Sequence, residues 1–191
     1  MNEYTGFYKN PRRHLVLGSS ALYGLSHLSA MTRDITKTIT IAAPPAKVRE
    51  VFFDFAKYPE WNPFFISFEV AKLVDSTNSS AIDGPAPGSQ LKIAMTIDTS
   101  KSANTMYPTV LKNTAEEFRW KGKLVFDILF AGEHAFQFKP IEDGTKTELV
   151  QSEHFSGVLV PLTGGILDKT ETRFDDLNVA LKKRVEELVT Q

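Results

Sequence analysis

The 191-residue chain contains no cysteine. This absence excludes disulfide bonds, thiolate catalysis and metal sites with cysteine ligands. Four histidines, His14, His27, His134 and His154, are dispersed along the chain, so a metal site built on histidine is not expected either. We therefore expect no cofactor and no metal, and a cytoplasmic or other reducing compartment is the natural inference.

The chain also lacks an excess of either charge and any long apolar run. Lys and Arg number 22 against 23 Asp and Glu, a net charge of −1, so no basic surface indicates nucleic-acid binding. No apolar stretch approaches the roughly 20 residues that a membrane-spanning helix needs. With 42% apolar and 24% charged residues, the composition is typical of one globular domain large enough to bury a core.

Residues 1–33 differ in composition from the rest. After the first few positions no acidic residue occurs before Asp34, whereas basic residues, Ser and Thr are frequent. This is compatible with a mitochondrial transit peptide, which makes a mitochondrial location the minor alternative. A disordered leader or a mis-assigned start is the other interpretation, because Met31 begins a segment that reads as a folded domain. We assign 1–33 to an N-terminal extension and 34–191 to the folded domain.

The segment 133–157 reads as two strands joined by a tight turn. Alternating apolar residues lead into Asp143-Gly144, a dipeptide that supplies the positive φ angles of a two-residue hairpin turn. Because side chains alternate between faces with period two, cross-strand partners share a face, and we expect the face with the phenylalanines to point inward. The register counted back from the turn pairs Phe138 with Leu149, Phe136 with Gln151, and His134 with Glu153.

The other periodic segments complete an α+β pattern. A strand begins at Asp34, a helix opens at Pro44-Pro45, about six strands follow, and a helix from about Ile166 to Val189 ends the chain. Residues 75–89 form a long Ser-, Gly- and Pro-rich loop, either a lid or binding loop or a plain hairpin connector. Finer expectations are a shared strand face for Phe64, Ile66, Phe68 and Val70, strands at 105–113 and 116–121, and a helix stripe of Ile166, Thr170, Phe174, Leu177, Leu181, Val185 and Leu188.

The segment 124–130 is apolar where a hairpin connection is expected. Such a connection needs cover, because a soluble monomer rarely exposes a large apolar patch. Three interpretations stay open. The segment folds over the mouth of a cavity, extends the core, or makes transient contact with a membrane or partner protein.

Several motifs point to one superfamily. The chain reads ITIAAPPAKVREVFFDFAKYPEWNPF early on, and later WKGK, GEHAFQF, GTKTELVQSEHFSG and TRFDDLNVALKKRVEEL. These stretches cover nearly all of residues 34–189 and resemble the START-like, helix-grip (SRPBCC) proteins of the polyketide cyclase/dehydrase and lipid-transport group. The resemblance implies a curved antiparallel sheet wrapped around a long C-terminal helix, with an internal hydrophobic cavity for a small molecule. The motif from Tyr58 to Pro63 is more similar to cyclase-type members than to the mitochondrial coenzyme Q-binding ones.

The alternation of side chains along the strands and the apolar stripe of the helix indicate which residues would contact a ligand in that cavity. A mostly apolar lining with few polar groups suits an aromatic or acyl ligand. For each residue taken singly, packed core is the alternative interpretation. Among polar residues, Gln151 and Asn178 are candidates to orient a ligand carbonyl. Arg173 is a candidate to bind a carboxylate or thioester-linked group, or else a solvated helix arginine. The apolar candidates are Trp61, Phe64, Ile66, Phe68, Ile93, Met95, Ile97, Phe118, Trp120, Phe136, Phe138, Leu149, Phe155, Phe174, Leu177 and Leu181.

The predicted pair of His134 and Glu153 is the candidate for catalysis. Facing cross-strand residues have Cβ atoms about 5 Å apart, near enough for the side chains to hydrogen-bond. Burial raises the pKa of a carboxyl and a neighbouring imidazolium lowers it, so the pair suits proton transfer near neutral pH. The alternative is a buried polar pair that only fixes the hairpin register.

Three functions follow from these features. The first is a cyclase or dehydratase of secondary metabolism that acts on a polyketide or similar aromatic intermediate by acid/base chemistry. The second is a non-catalytic carrier or sensor of a lipid, quinone or other hydrophobic molecule. The third is an interaction module that docks through segment 124–130. We favour a hydrophobic-ligand-binding protein of the cyclase type and leave turnover open.

Overall fold

The computed structural model describes residues 31–74, 83–98, 102–123 and 126–190. The predicted N-terminal extension up to residue 30, much of the predicted 75–89 loop, and Leu124 and Val125 lie outside these ranges.

The first elements follow the sequence pattern closely. Strand β1 (Thr32–Ile41) is followed by helix α1 (Pro45–Phe53). Proline suits the entry of α1 because its φ is already helical and its missing N–H would have no partner there. The apolar stripe of α1 points inward through Val48, Val51 and Phe52. A single 3₁₀ turn and the short helix α2 (Tyr58–Trp61) then reverse the chain.

Seven further strands follow in the described part of the chain, and with β1 they form one antiparallel sheet. The sheet order is β1-β8-β7-β6-β5-β3-β2, and the short β4 pairs with β3. Helix α3 (Gly164–Thr190) packs on β1, β8 and α1. The predicted α+β helix-grip architecture is confirmed. The strands are β2 (Phe65–Lys72), β3 (Gln90–Met95), β4 (Asn104–Met106), β5 (Thr109–Asn113), β6 (Glu117–Lys123), β7 (Ala131–Ile141) and β8 (Lys146–Ser156).

The predicted hairpin of β7 and β8 is confirmed in register. His134 pairs with Glu153, as the count from the turn requires. Asp143 and Gly144 have φ angles of 56° and 79°, and the turn is closed by a 3.1 Å hydrogen bond from the Thr145 amide to the Glu142 carbonyl. Both φ values lie in the left-handed region that Asp and Gly tolerate.

The predicted inward face of β2 is wrong for Ile66 and Val70. Ile66 is 44% exposed and Val70 is 39% exposed. The pairing of β2 with β3 shifts between Phe65 and Ser67, so Ile66 is the extra residue of a bulge and points outward. Phe65 and Phe68 on either side of it are buried, together with Phe64 just before the strand. Val70 shares a face with Phe68, opposite Leu91, but it lies in the exposed end of an edge strand, residues 69–72.

The predicted single strand at 105–113 is divided into β4 and β5. Tyr107 and Pro108 separate the two, because proline has no N–H to donate to a ladder.

Helix α3 begins earlier than predicted. Its buried stripe is confirmed at Thr170, Phe174, Leu177, Leu181 and Val185 and differs from the prediction at the two ends. The first-turn amide of Leu167 bonds to the Thr163 carbonyl at 3.0 Å. Leu167 is buried, whereas Ile166 and Leu188 at the two ends are exposed. Asn178 also belongs to the buried face, which the apolar pattern did not include.

Candidate functional site

A pocket of about 530 Å³ lies between the sheet and the first turns of α3. It is lined by the inner ends of several strands and by the chain that connects β6 to β7. Most of the lining surface is apolar, as a site for a hydrophobic molecule requires. The lining residues are Phe64, Phe65, Met95, Ile97, Asn104, Thr105, Met106, Tyr107, Trp120, Gly122, Lys123, Phe130, Gly132, His134, Glu153, Phe155, Ile166, Leu167 and Thr170.

The structure brings some of the predicted contact residues to this pocket. Besides His134 and Glu153, the apolar ones are Phe64, Met95, Ile97, Trp120 and Phe155.

The other predicted apolar contacts do not line this pocket. Ile66 points outward, Trp61 lies elsewhere, and the remainder pack in the core. The Phe52 ring from α1 lies 4.7 Å from Phe136, 5.4 Å from Phe138 and 6.0 Å from Phe118, between ring centroids. Helix α1 therefore fills one end of the concave sheet, and the pocket lies at the other end. The core residues concerned are Phe68, Ile93, Phe118, Phe136, Phe138, Leu149, Phe174, Leu177 and Leu181.

Sequence reasoning missed several lining residues. Phe65 was missed because the bulge in β2 reverses its face. Met106 and Tyr107 were missed because the break at Pro108 was not recognised, although a proline inside a strand pattern was a usable signal. Phe130 belongs to segment 124–130, and its ring lies 5.6 Å from that of Phe155.

Four predicted polar or aromatic contacts lie outside this pocket. Gln151 is fully buried and contacts His134. Arg173 donates to Asp176 at 2.8 Å and to the Ile97 carbonyl at 3.4 Å, so its guanidinium is already engaged. Trp61 lines a separate cleft of about 400 Å³ beside Arg184. Asn178 is buried in the core, and within the described ranges neither of its side-chain polar atoms has a hydrogen-bond partner.

His134 occupies an aromatic sandwich beside the pocket. Its ring stacks on Phe136 and on Phe174, each at 4.7 Å between centroids. The ring is 3% exposed. This packing fixes the orientation of the imidazole and removes it from water.

The tautomer of His134 follows from its contact with Gln151. Gln151 Nε2 lies 2.9 Å from His134 Nε2. In this orientation of the Gln151 amide its nitrogen donates, so the ring Nε2 accepts and the neutral ring carries its proton on Nδ1. That Nδ1 lies 3.6 Å from Glu153 Oε2. The distance is longer than a hydrogen bond, so the two groups are neighbours across the hairpin without a tight ion pair.

Burial decides the charge of both groups. It raises the pKa of Glu153 from 4.5 to about 8 and lowers the pKa of His134 from 6.5 to about 3, because a buried group loses the solvation of its charged form. At pH 7 the carboxyl is protonated and the imidazole is neutral. The imidazolium considered in the sequence analysis is not the form that this environment favours.

The arrangement provides an acid that faces an apolar hollow. Among the described lining residues, Glu153 is the one carboxylic acid, and its side chain is 12% exposed. A carboxyl with a pKa slightly above neutral carries a proton that it can donate at working pH, which general-acid catalysis requires.

The loop before β7 carries exposed apolar side chains. Phe126 is 64% exposed and Ile128 is 71% exposed. Their loop is fixed to the chain after β8 through hydrogen bonds from the Val158 amide to the Ile128 carbonyl at 3.0 Å and from the Leu159 amide to the Leu129 carbonyl at 3.1 Å. Segment 124–130 therefore contributes Phe130 to the pocket wall and presents two large apolar groups outside it.

The described residues contain neither a membrane-spanning helix nor a cluster of metal ligands. No helix there is long and apolar enough to cross a membrane. No group of three or more His, Asp or Glu side chains there is arranged to hold a metal ion.

Comparison with known proteins decides the family. The pattern of the family described as "Polyketide cyclase / dehydrase and lipid transport" matches residues 32–186. The chain belongs to this family. No curated protein sequence matches it.

Several solved structures have the same fold as this chain. A START superfamily protein from Mycobacterium smegmatis is 21% identical, with a TM-score of 0.60 over 81% of this chain and 98% of its own. The Zhui aromatase/cyclase from Streptomyces sp. R1128 is 18% identical, with a TM-score of 0.62 over 83% and 96%. Norcoclaurine synthase from Thalictrum flavum is 14% identical, with a TM-score of 0.54 over 82% and 95%.

Proposed function

We propose that this protein binds a hydrophobic small molecule, polyketide, aromatic or lipid-like, in the pocket and uses Glu153 as a general acid in its cyclisation or dehydration. The observation that carries the proposal is the position of Glu153, a carboxyl protonated at pH 7, among the residues that line the hollow. Membership of the polyketide cyclase/dehydrase and lipid-transport family agrees with this assignment, as does the similarity in fold to an aromatase/cyclase.

The binding part of the proposal is supported by size and lining. A volume of about 530 Å³ lies within the range of roughly 300–1,000 Å³ that small-molecule sites occupy. Aromatic rings of Phe65, Trp120 and Phe155 supply broad apolar surface. The exposed ring of Tyr107 and the side chain of Ile166 stand at the edge, where a ligand would enter.

The chemical part of the proposal is a dehydration in which Glu153 both gives and recovers a proton. The carboxyl protonates a β-hydroxyl, the C–O bond breaks and water leaves. The carboxylate then removes the α-proton, the C–H electron pair forms the C=C bond, and the carboxyl is regenerated. While Glu153 is charged, the Nδ1–H of His134 faces it, and a nearby donor stabilises a carboxylate in a dry site. His134 does not act as a base here, because Gln151 occupies its free ring nitrogen.

The alternative function is a non-catalytic carrier or sensor of a lipid or quinone. The observation in its favour is the apolar character of the pocket and the 3.6 Å gap between His134 and Glu153. A carrier needs only burial of its cargo, and a neutral carboxyl then serves as a hydrogen-bond donor to a ligand carbonyl.

Two measurements test the proposal in sequence. Binding is measured by titration with 1-anilinonaphthalene-8-sulfonate, which should bind saturably at one site. Phe155→Trp should weaken dye binding by about tenfold, because the larger ring takes up space in the pocket. A tenfold loss corresponds to roughly 1.4 kcal/mol of binding free energy. Binding that does not saturate, or that Phe155→Trp leaves unchanged, contradicts a ligand site in this pocket.

Turnover is measured with a β-hydroxyacyl thioester of N-acetylcysteamine, by mass spectrometry of the dehydrated product. Glu153→Gln keeps the shape of the side chain but cannot exchange a proton, so we expect turnover to fall by about 10²–10⁴-fold with dye binding retained. Glu148→Gln is the matched control, because Glu148 lies on the opposite face of β8 and pairs with Lys139. Dye binding without turnover in the wild type favours the carrier.

A further inference from the structure

Two glycines face each other on the floor of the pocket. Gly122 of β6 pairs directly with Gly132 of β7, and both line the hollow. Each lies two residues from an inward-facing aromatic side chain, Trp120 and His134 respectively, so each occupies an inward position. Glycine inside a strand weakens it and often marks a place where another group approaches the backbone closely.

The backbone conformation does not explain these glycines. The glycines with positive φ in the described chain are Gly84, Gly88, Gly144 and Gly157. Gly122 and Gly132 are not among them, so their strands would accept other residues on conformational grounds. The remaining physical reason for glycine is space.

A side chain at either position would meet a pocket residue. A Cβ at Gly132 would overlap Glu153 Oε1 and stand 3.4 Å from the Phe155 ring. A Cβ at Gly122 would overlap the terminal methyl of Met106. Any larger residue therefore displaces the Glu153 carboxyl or the Met106 side chain.

We propose that Gly122 and Gly132 determine ligand width by leaving room for the Met106 methyl and the Glu153 carboxyl to lie over the backbone instead of projecting into the pocket, and that Gly132 thereby positions the Glu153 carboxyl. This inference rests on the proposed function. The widest part of the ligand lies against the Met106 and Glu153 side chains that cover the two glycines, and the atom that exchanges a proton with Glu153 lies beside them. Gly132 is a positioning residue, because its missing side chain leaves room for the carboxyl beside His134.

The width of the site is tested with two hydroxylated aromatic probes, 2-naphthol and the wider 1-hydroxypyrene. The chain has two tryptophans, and in a Trp61→Phe background Trp120 in the pocket wall is the single reporter. Trp61 is the better one to replace, since its indole N–H has no hydrogen-bond partner among the described residues. Binding is followed by quenching of Trp120 fluorescence.

We expect Gly122→Ala and Gly132→Ala to weaken the binding of 1-hydroxypyrene at least about tenfold more than the binding of 2-naphthol. Gly164→Ala and Gly165→Ala are controls, because a Cβ there meets nothing within 4 Å. Adding Met106→Ala to Gly122→Ala removes the overlapped methyl and should restore the binding of 1-hydroxypyrene. This rescue separates lost space from faulty folding.

The outcomes distinguish this inference from the function on which it rests. No saturable quenching in the parent overturns both. Saturable quenching with equal losses for the two probes, or no rescue by Met106→Ala, overturns the glycine proposal alone. For positioning, the carboxyl of Glu153 should titrate at lower pH in Gly132→Ala, where it is displaced, and be unchanged in Gly122→Ala. An unchanged titration in Gly132→Ala overturns the positioning role.

Discussion

His134 Nδ1 lies 3.6 Å from Glu153 Oε2 across the β7–β8 hairpin, and the far side of the imidazole is held by Gln151. The proton on Nδ1 therefore points to the carboxyl, and the lone pair on Nε2 is occupied. Both groups are neutral at pH 7 because burial opposes their charged forms. A buried polar pair of this kind adds little to stability by itself, but it presents one exchangeable proton to the pocket.

The stability of the protein should depend on pH through this pair. The pKa of Glu153 is raised to about 8 from 4.5, so the folded state retains a proton that the unfolded state releases, and stability falls between these pH values. The pKa of His134 is lowered to about 3 from 6.5, so stability rises between those. The two effects cancel between pH 4.5 and 6.5. From pH 6.5 to 8 the free energy of unfolding declines by about 2 kcal/mol.

Urea unfolding at pH 5.5, 7 and 8.5 measures this decline. Glu153→Gln has no carboxyl to titrate and should lose it, whereas the control Glu148→Gln should keep it. An equal pH dependence in wild type and Glu153→Gln would show that Glu153 does not titrate in this range.

The division between packed core and pocket predicts two different mutational costs. Phe136 is fully buried against Phe52, Trp120 and His134, so Phe136→Ala should lower the free energy of unfolding by about 3–5 kcal/mol. Met95 lines the hollow, where lost atoms enlarge an existing space, so Met95→Ala should cost about 1 kcal/mol.

Chemical denaturation of the two variants measures the difference. Titration with the dye should show the reverse order of effects on affinity. Met95→Ala should change the affinity for the dye, whereas Phe136→Leu, if it folds, should leave that affinity nearly unchanged. Equal stability costs would argue that the hollow at Met95 is filled in solution.

The exposed side chains of the 126–128 loop predict a contact with a membrane surface. Replacement of Phe126 and Ile128 by Ser should leave stability within about 0.5 kcal/mol, because both are exposed and surface changes cost little. Flotation with phosphatidylcholine vesicles tests contact with a membrane, and we expect any association to be lost in the double variant. Leu162→Ser, another exposed apolar residue of this chain, shows whether the effect is specific to the 126–128 loop. Association that survives the double variant contradicts a contact through this loop.

The hairpin was the part of the site that sequence could predict. Asp143 and Gly144 fix the turn, and counting from a fixed turn determines every pair as far as His134 and Glu153. No later feature in β7 or β8 shifts that register. The resemblance to a known superfamily supplied the rest of the architecture.

The same reasoning could not tell which inward-facing residues pack in the core and which line the pocket. Parity says that Phe136 and Trp120 share an inward face, but it does not say that Phe52 from α1 covers the first and leaves the second beside a hollow. The bulge after Phe65 also has no signal in the alternation of β2, and it exchanges the roles of Phe65 and Ile66.

The two floor glycines show a third limit. Gly122 and Gly132 lie 10 positions apart in the printed sequence, and only the β6–β7 register places them face to face. A pattern that searches for apolar residues passes over positions whose contribution is the absence of a side chain.

The charge of Glu153 is the most direct test of this account. The chemical shift of its side-chain carboxyl carbon, assigned by comparison with Glu153→Gln, is followed by NMR from pH 4 to 9. We predict a midpoint near pH 8, with the carboxyl protonated at pH 7. A midpoint near 4.5 would mean that the group is solvated and charged, and would contradict an acid facing an apolar pocket.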